Sequence, residues 1–331
     1  MKRVGFLFDQ AFTMENMHLA YIDASKNKQG KRACFQFTRR LGRNLERLHT
    51  ELHNGTYQPQ PYYTFMVYEP KARRIFAPSF SDLVVQHAIY RVIYPIFNKT
   101  FIDQSYACRK GKGTHAAADY AQAALQTSPR DSYTLKMDIR KFFYRIGRTA
   151  LRGMIERKIK DVRFLDVMML FADHGEPVGI PIGNLLSQIY ALIYMNGVDH
   201  FIKRELKAQK YCRYVDDFII FGISKDFAQT ALHRIIECIS TIGLELSKYS
   251  ITLTKRGINF VGYRAWASKR FVRKRSLFTF RRALRLDKLD SVVSILGHAK
   301  RTHTLKYLIT TIKEKYHDLQ LPKAYRRNAY C

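Results

Sequence analysis

The tetrapeptide Tyr214-Val215-Asp216-Asp217 lies inside an apolar run from Tyr211 to Phe221, so two adjacent carboxylates sit among aromatic and β-branched residues. Such a pattern predicts two short buried strands joined by a tight acidic turn. Burying two like charges is costly unless cations neutralise them. A hard divalent ion is the natural compensation, because Mg²⁺ takes carboxylate oxygens together with substrate phosphates. Asp138 is the natural third acid. It nearly ends the apolar segment Leu135-Lys136-Met137-Asp138-Ile139, which reads as a strand, and sheet pairing would bring it to the Asp216-Asp217 turn. Carboxylates so placed can hold two ions, one lowering the pKa of an attacking hydroxyl and the other stabilising a leaving oxygen. Phosphoryl transfer needs little beyond that positioning and charge neutralisation.

An Asp-Asp turn on a solvated hairpin would have the same local sequence. The charge balance weighs against it: 57 Lys+Arg face 27 Asp+Glu, a net charge of +30 over 331 residues. A surface that basic repels itself unless it meets a polyanion, so nucleic acid is the expected partner. The hydrophobic fraction of 47% argues against global disorder. No long apolar span stands out, and Lys2 and Arg3 are not followed by an apolar stretch of signal-peptide length. Cys34, Cys108, Cys212, Cys238 and Cys331 are scattered without C-x-x-C spacing, which argues against structural zinc or a disulfide framework and fits a reducing cytoplasm.

The elements that must position these acids are legible from periodicity. Residues 1–58 read as helical, with Phe35, Phe37, Leu41, Leu45, Leu48 and Leu52 on one apolar stripe and Asn54-Gly55 as the stop. Tyr62 to Tyr68 reads as extended and, with the segment after Glu69-Pro70, as a hairpin carrying Lys71, Arg73 and Arg74 near its tip. Helices are expected over 82–97, 149–171, 184–206 and 226–242, and short strands near 251–254 and 258–264. A basic, mainly helical unit follows Trp266. His49 and His53 lie one helical turn apart, but without a third ligand they read as a surface pair.

Taken in order, these residues resemble the motifs of reverse transcriptases. Met137-Asp138 with Phe143, then Gly183 and Ser187 at a loop-to-helix junction, then Tyr214 to Asp217, look like successive palm motifs. Upstream, Pro70 to Arg73, Pro78 and Asp82 to Ala88 are similar to fingers motifs of bacterial members, as is the run Arg109 to Gly113. Gly257 to Tyr263 resembles the primer-grip segment. The resemblance implies an α+β right-hand polymerase: an N-terminal helical basic region over 1–58, fingers over 59–134, palm over 135–265 and a basic helical thumb over 266–331. It also implies a bacterial host cytoplasm, dNTP substrates and two Mg²⁺ ions, with Mn²⁺ as a possible substitute.

One departure narrows the family. Most bacterial members carry Gln-Gly, three residues, then Ser-Pro at the junction; here the run is Ile182-Gly183-Asn184-Leu185-Leu186-Ser187-Gln188. That pattern resembles the reverse transcriptases of diversity-generating retroelements. It implies cDNA made from a template-repeat RNA with frequent errors opposite adenine, and an accessory variability protein, a small basic pentameric helical barrel. Two further departures are Leu83, where an Arg is common, and the unclear register of Lys248 after Gly243-Leu244-Glu245-Leu246.

The resemblance carries roles onto named positions. Asp138, Ile139, Asp216 and Asp217 form the metal-holding set. Lys71, Arg73, Arg74, Phe143, Ile182, Gly183 and Gln188 surround the dNTP, with Phe143 as the plate excluding a ribose 2′-OH. Neighbouring arginines on a strand face opposite sides, so Arg73 and Arg74 cannot both grip the triphosphate, and the pattern favours Arg73. Arg109, Lys110, Lys112, Lys248, Gly262 and Tyr263 are the template and primer contacts. A retron or group II intron-type enzyme, or a polymerase-like RNA-binding scaffold without catalysis, are the alternatives.

Overall fold

The computed structural model describes residues 3–68 and 71–315. Lys2, the Glu69-Pro70 hairpin tip, the end of the expected thumb and Cys331 lie outside the described residues. Along the chain run α1 (Leu7–Ala11), α2 (Met14–Ser25), α3 (Arg32–Thr38), α4 (Leu41–His53), β1 (Tyr63–Val67), β2 (Arg73–Ala77), α5 (Phe80–Asn98), α6 (Thr114–Gln126) and β3 (Tyr133–Ile139). Then come α7 (Phe142–Arg145), α8 (Arg148–Glu156), α9 (Val162–Leu170), α10 (Leu185–His200), β4 (Tyr211–Tyr214), β5 (Asp217–Ile223) and α11 (Lys225–Ser240). The remainder is β6 (Leu246–Leu253), β7 (Ile258–Phe260), β8 (Tyr263–Ala265), β9 (Arg270–Val272), α12 (Lys274–Arg285), α13 (Leu289–Ala299) and α14 (Thr304–Lys315). The architecture is α+β. The chain divides into two compact units: Met1–Ile102, Ile139–Glu205 and Ile235–Ser247 in one, Asp103–Asp138, Leu206–Arg234 and Lys248–Cys331 in the other.

In the first unit, the expected apolar stripe over 35–52 is broken. Arg39 and Arg40 separate α3 from α4, so Phe35 falls off the stripe and is 59% exposed, while Leu45, Leu48 and Leu52 are buried. The helix read over 149–171 is likewise two helices parted at 157–161, where Asp161 caps α9 by accepting from the Phe164 amide at 3.1 Å. The helix read over 184–206 ends as α-helix at His200 and continues as one π-helical turn, Phe201–Glu205. The hairpin is as expected: β1 and β2 pair antiparallel with Val67 opposite Arg73.

The loop-to-helix junction is built from long-range contacts. Asn184 is the α10 N-cap, but its side chain makes no capping bond; its amide donates instead to the Tyr62 hydroxyl at 2.7 Å and the Phe171 carbonyl at 3.2 Å. The first amides of α10 are served from another helix. Gln86 of α5, fully buried, accepts from Leu185 and Leu186 N–H at 3.0 and 3.4 Å. Helix starts leave such donors unsatisfied unless a partner is supplied. Asp82, also buried, accepts from Tyr57, Ser79 and the Gln60 amide, which fixes the start of α5.

The second unit carries a four-stranded sheet in the order β4-β5-β3-β6 and a three-stranded sheet in the order β7-β8-β9. The alanine-rich face of α6 (Ala117, Ala121, Ala124) packs with Cys212, Ile219, Phe221, Ile258 and Phe260. A second core joins Ala118 and Tyr263 to Phe280, Leu284, Val292, Leu296 and Leu308 of α12–α14. Asp119 of α6 accepts from both Arg270 and Arg301, so part of the basic C-terminal segment is spent on internal pairing.

Gly183 tests the first unit's packing. Its φ is +107°, and a Cβ there would stand 2.7 Å from the Ile75 side chain and 3.2 Å from the Phe76 carbonyl. Gly183→Ala is expected to lower stability by about 1–3 kcal/mol through strain and collision with β2. Thermal unfolding of the variant checks this, and an unchanged melting temperature would show that the junction yields freely.

Candidate active site

The acids are positioned by strand register. β3 and β5 pair antiparallel with Lys136 opposite Ile219 and Asp138 opposite Asp217; β4 and β5 pair with Tyr214 opposite Asp217. Val215 and Asp216 are therefore a two-residue hairpin connection. Side chains alternate along a strand, so Lys136 and Asp138 share the face that carries Asp217. The other face of β3 and β5, with Leu135, Met137, Phe218 and Ile220, is fully buried. Val215 takes φ +57°, a left-handed conformation that is rare for a β-branched residue and is favoured only where the surroundings impose it. Arg213 helps impose it: its side chain is completely buried and donates to the Val215 carbonyl at 2.9 Å. Backbone bonds from Arg213 to Gln104 and from Tyr106 to Arg213 fasten the loop at 104–106 alongside β4.

Lys136 answers the charge at Asp217. Its ammonium donates to Asp217 Oδ2 at 2.7 Å and to the Asn259 carbonyl at 2.6 Å. Burial holds the Asp217 carboxyl above its ordinary value; the Lys136 ammonium pulls it down and Asp138 adds to the rise. Asp217 Oδ1 is buried without a hydrogen-bond partner. A buried carboxylate oxygen with no donor suits a hard cation, and so does the all-oxygen chemistry of the three aspartates. The donor set fits, yet the sites are not assembled: among the described residues no three His, Cys, Asp or Glu groups converge to hold a metal ion. The register brings Asp138 and Asp217 together as expected, while Asp217 is engaged by Lys136. Ile139 is buried and its side chain is alkyl, so its backbone carbonyl is the only atom it could offer a metal.

The remaining residues divide between the two units. In the first, Lys71 and Arg73 are exposed at the hairpin end, whereas Arg74 lies over the Phe76 ring at 5.1 Å and 3.6 Å from Glu176. Both arginines lie in β2, along which neighbouring side chains alternate between faces. Phe142 is buried and Phe143 is half-exposed, their rings edge-to-face at 5.6 Å. Gly183 makes its close approach to β2 of its own chain, and the Ile182 carbonyl accepts from Phe76 N–H at 2.8 Å. Gln188 is exposed on the first turn of α10. His49 and His53 are stacked at 4.0 Å.

In the second unit, Lys110 is exposed, Arg109 donates to the Ser105 carbonyl at 3.0 Å, and Lys112 is held by Asp103 at 3.0 Å. Lys248 is exposed and lines a cavity of about 430 Å³ with Lys136, Asn259 and Arg273. Tyr263 and Gly262, read from the sequence as primer contacts, are engaged internally. Tyr263 is 1% exposed; its ring stacks on His298 at 4.1 Å and its hydroxyl donates to the His298 carbonyl at 2.7 Å. Gly262 (φ +90°) follows Val261 (φ +40°) in a two-residue turn, and a Cβ on it would meet the His298 ring at 2.7 Å. A hairpin turn with two left-handed residues in succession calls for glycine. Lys136, Arg213 and Gln86 were not singled out from the sequence; the Lys136–Asp138 spacing of two was the available signal for the first.

Residues 69–265 match the family described as reverse transcriptase (RNA-dependent DNA polymerase). The chain belongs to that family. Reverse transcriptases bind an RNA template and generally work with a divalent metal, and the α+β architecture here is a polymerase fold. The protein YkfC of Escherichia coli is 25% identical over 291 residues, covering 72% of this chain and 74% of its own length. The group II intron-encoded protein LtrA of Lactococcus lactis is 28% identical over 174 residues, which is 48% of this chain and 28% of LtrA. Telomerase from Candida albicans, solved with a fragment of telomeric RNA, superposes with a TM-score of 0.49 at 13% identity, covering 79% of this chain and 55% of that one.

The raised Asp217 pKa has a defined consequence for this reverse transcriptase. The folded state holds the proton more tightly than the unfolded chain, so stability falls as pH rises from the ordinary value of 3.8 through the raised one. Without metal, Asp217→Asn removes that loss. Its melting temperature relative to wild type is expected to climb from about pH 4 towards neutrality and then level off. A difference that does not vary with pH would mean Lys136 fully compensates the carboxylate.

Proposed function

We propose that the chain is the reverse transcriptase of a diversity-generating retroelement, copying a template-repeat RNA into cDNA with errors concentrated opposite adenine. The observation that carries this reading is the junction Ile182-Gly183-…-Ser187-Gln188, where an apolar residue stands in place of Gln and Gln in place of Pro. The Ile182 carbonyl is bonded to Phe76 of the hairpin that bears Lys71 and Arg73, which makes position 182 part of the hairpin's backbone network. A Gln there can hydrogen-bond near a nascent base pair and penalise poor geometry; Ile offers shape alone. Loss of one such polar contact changes discrimination by about 1 kcal/mol, roughly tenfold or less.

In this reading Asp138 and Asp216, with the Ile139 carbonyl and Asp217, hold two Mg²⁺ ions, which when bound supply activation of the primer hydroxyl and neutralisation of the leaving phosphate. Lys136 keeps the Asp217 carboxylate oriented. Lys71 and Arg73 grip the incoming triphosphate, the guanidinium by paired hydrogen bonds and the ammonium as a point charge. Half-exposed Phe143 bars a ribose 2′-OH while Phe142 anchors the turn beneath it. Arg109 and Lys110 contact template phosphates, and Lys248 the duplex. The accessory variability protein is the expected partner. The four-part division into N-terminal region, fingers, palm and thumb belongs to the same reading. A group II intron-type enzyme is the second reading, favoured by the similarity to LtrA.

Primer extension on a heteropolymeric RNA with dNTPs and Mg²⁺, with every cDNA sequenced, tests the proposal. The expected result is metal-dependent cDNA with errors at template adenines, abolished by Asp138→Asn. Ile182→Gln is expected to lower the adenine error rate by roughly tenfold or less. Accurate cDNA from the wild type would give the group II intron reading instead, and an unchanged spectrum in Ile182→Gln would remove position 182 from base selection.

A further inference from the structure

Neither carboxylate oxygen of Asp217 is open to an incoming cation. Oδ1 is buried without a partner, and Oδ2 is taken by the Lys136 ammonium at 2.7 Å. That ammonium sits in a cradle of its own. It also donates to the Asn259 carbonyl at 2.6 Å and lies over the Phe260 ring at 5.5 Å. An ammonium has three protons to place, and a carboxylate, a carbonyl and an aromatic face receive them. The contact is largely shielded from water: the Lys136 side chain is 19% exposed and that of Asp217 21%.

A lysine and a divalent ion cannot share this oxygen comfortably. Lys136 supplies one charge through a hydrogen bond, whereas Mg²⁺ supplies two and draws its oxygens to about 2.0–2.1 Å. An ion on Oδ2 would stand within about 5 Å of an ammonium still bonded there, and the two repel in a half-buried setting. The lysine has somewhere to go. Its side chain lines the cavity of about 430 Å³, whose wall carries the hydroxyls of Thr134, Ser250 and Thr252. Lys248, Arg256 and Arg273 line the same cavity, so a further cation enters it only when a stronger one displaces it from the acid. When the ion leaves, the ammonium returns to Asp217.

We propose that Lys136 is an internal competitor for the divalent ion: it holds Asp217 Oδ2 in the metal-free chain and gives that oxygen up when an ion binds. The contact that orients Asp217 thereby also sets how tightly the acids take metal. Only chains with Asp217 released are competent, so the apparent affinity is the intrinsic one reduced by that fraction. The same ammonium ties the Asn259 carbonyl of β7 to β3, so ion binding slackens that tie as well. The inference rests on the aspartates holding a divalent ion, as proposed above, though on no particular template or error spectrum.

Mn²⁺ binding to the full chain, without nucleic acid or dNTPs, tests this through the loss of the free-ion electron paramagnetic resonance signal. Lys136→Met keeps an apolar stem and removes the ammonium, and is expected to bind Mn²⁺ about tenfold more tightly than wild type. Arg256→Gln removes a charge from the same cavity but no bond to Asp217, and is expected to change the affinity little. A second measurement needs no variant. In wild type, acetylation of Lys136 followed by mass spectrometry is expected to quicken severalfold as Mn²⁺ saturates. Unchanged or weaker binding in Lys136→Met, an equal gain in Arg256→Gln, or a Lys136 acetylation rate indifferent to metal would each overturn the proposal. Asp138→Asn separates the two readings. Mn²⁺ binding that survives in this variant removes the aspartates as the metal site, and the exchange with them; binding lost there but indifferent to Lys136→Met keeps the site and removes the exchange alone.

Discussion

Two carboxylates set opposite one another across a sheet register are the constraint on which the second unit depends. Asp138 faces Asp217 because β3 and β5 pair in that register, and a slip of one residue would turn both to the apolar side. Holding them there without metal requires a cation on the same face, and Lys136 is the residue that alternation makes available. A lysine so engaged has further protons to place, and the Asn259 carbonyl takes one of them. The charge problem at the turn thus fixes β7 against the four-stranded sheet. Removing one member of such a pair leaves an uncompensated charge, which costs more than the pair itself contributes.

Arg213 shows the same logic in reverse. A completely buried guanidinium is costly unless its donors are met. Part of that demand is met by the carbonyl of Val215, the residue held in the left-handed region. The strain at the turn and the buried charge beside it support each other. Arg270, also buried, is met in turn by Asp119 and the Arg301 carbonyl. Such pairs are already counted in the net charge of +30, the excess of 57 Lys+Arg over 27 Asp+Glu. In the second unit, Lys136, Lys248, Arg256, Arg264 and Arg273 border a single cavity.

The sequence carried the parts of this arrangement that are local. Period-two alternation placed β3 and the acidic hairpin, Asn54-Gly55 stopped α4, and neighbouring arginines on β2 face apart as a strand requires. What it could not carry depends on partners far along the chain. The helix breaks at 39–40 and 157–161 are such cases, the second fixed by Asp161 holding the Leu7 and Phe8 amides at 2.7 and 2.9 Å as well as its own helix start. Tyr263 looked like a nucleic-acid contact because its segment resembles one; the docking of α13 through His298 buries it. An aromatic beside a glycine turn has the same local pattern whether a strand of nucleic acid or a helix covers it.

The junction before α10 carries that point further. Asp82, Gln86, Gly183 and Asn184 all fall in segments that resemble catalytic motifs, yet each is engaged within the protein. Asp82 fixes the start of α5, Gln86 caps α10 from 99 residues away, Gly183 clears β2, and Asn184 is tied to Tyr62 and Phe171. Three buried polar atoms in this cluster (Gln86 Nε2, Asn184 Oδ1 and Ser187 Oγ) have no partner in the structure. Residues that recur together in a motif need not all meet the substrate. Here most of them set one helix start and one hairpin.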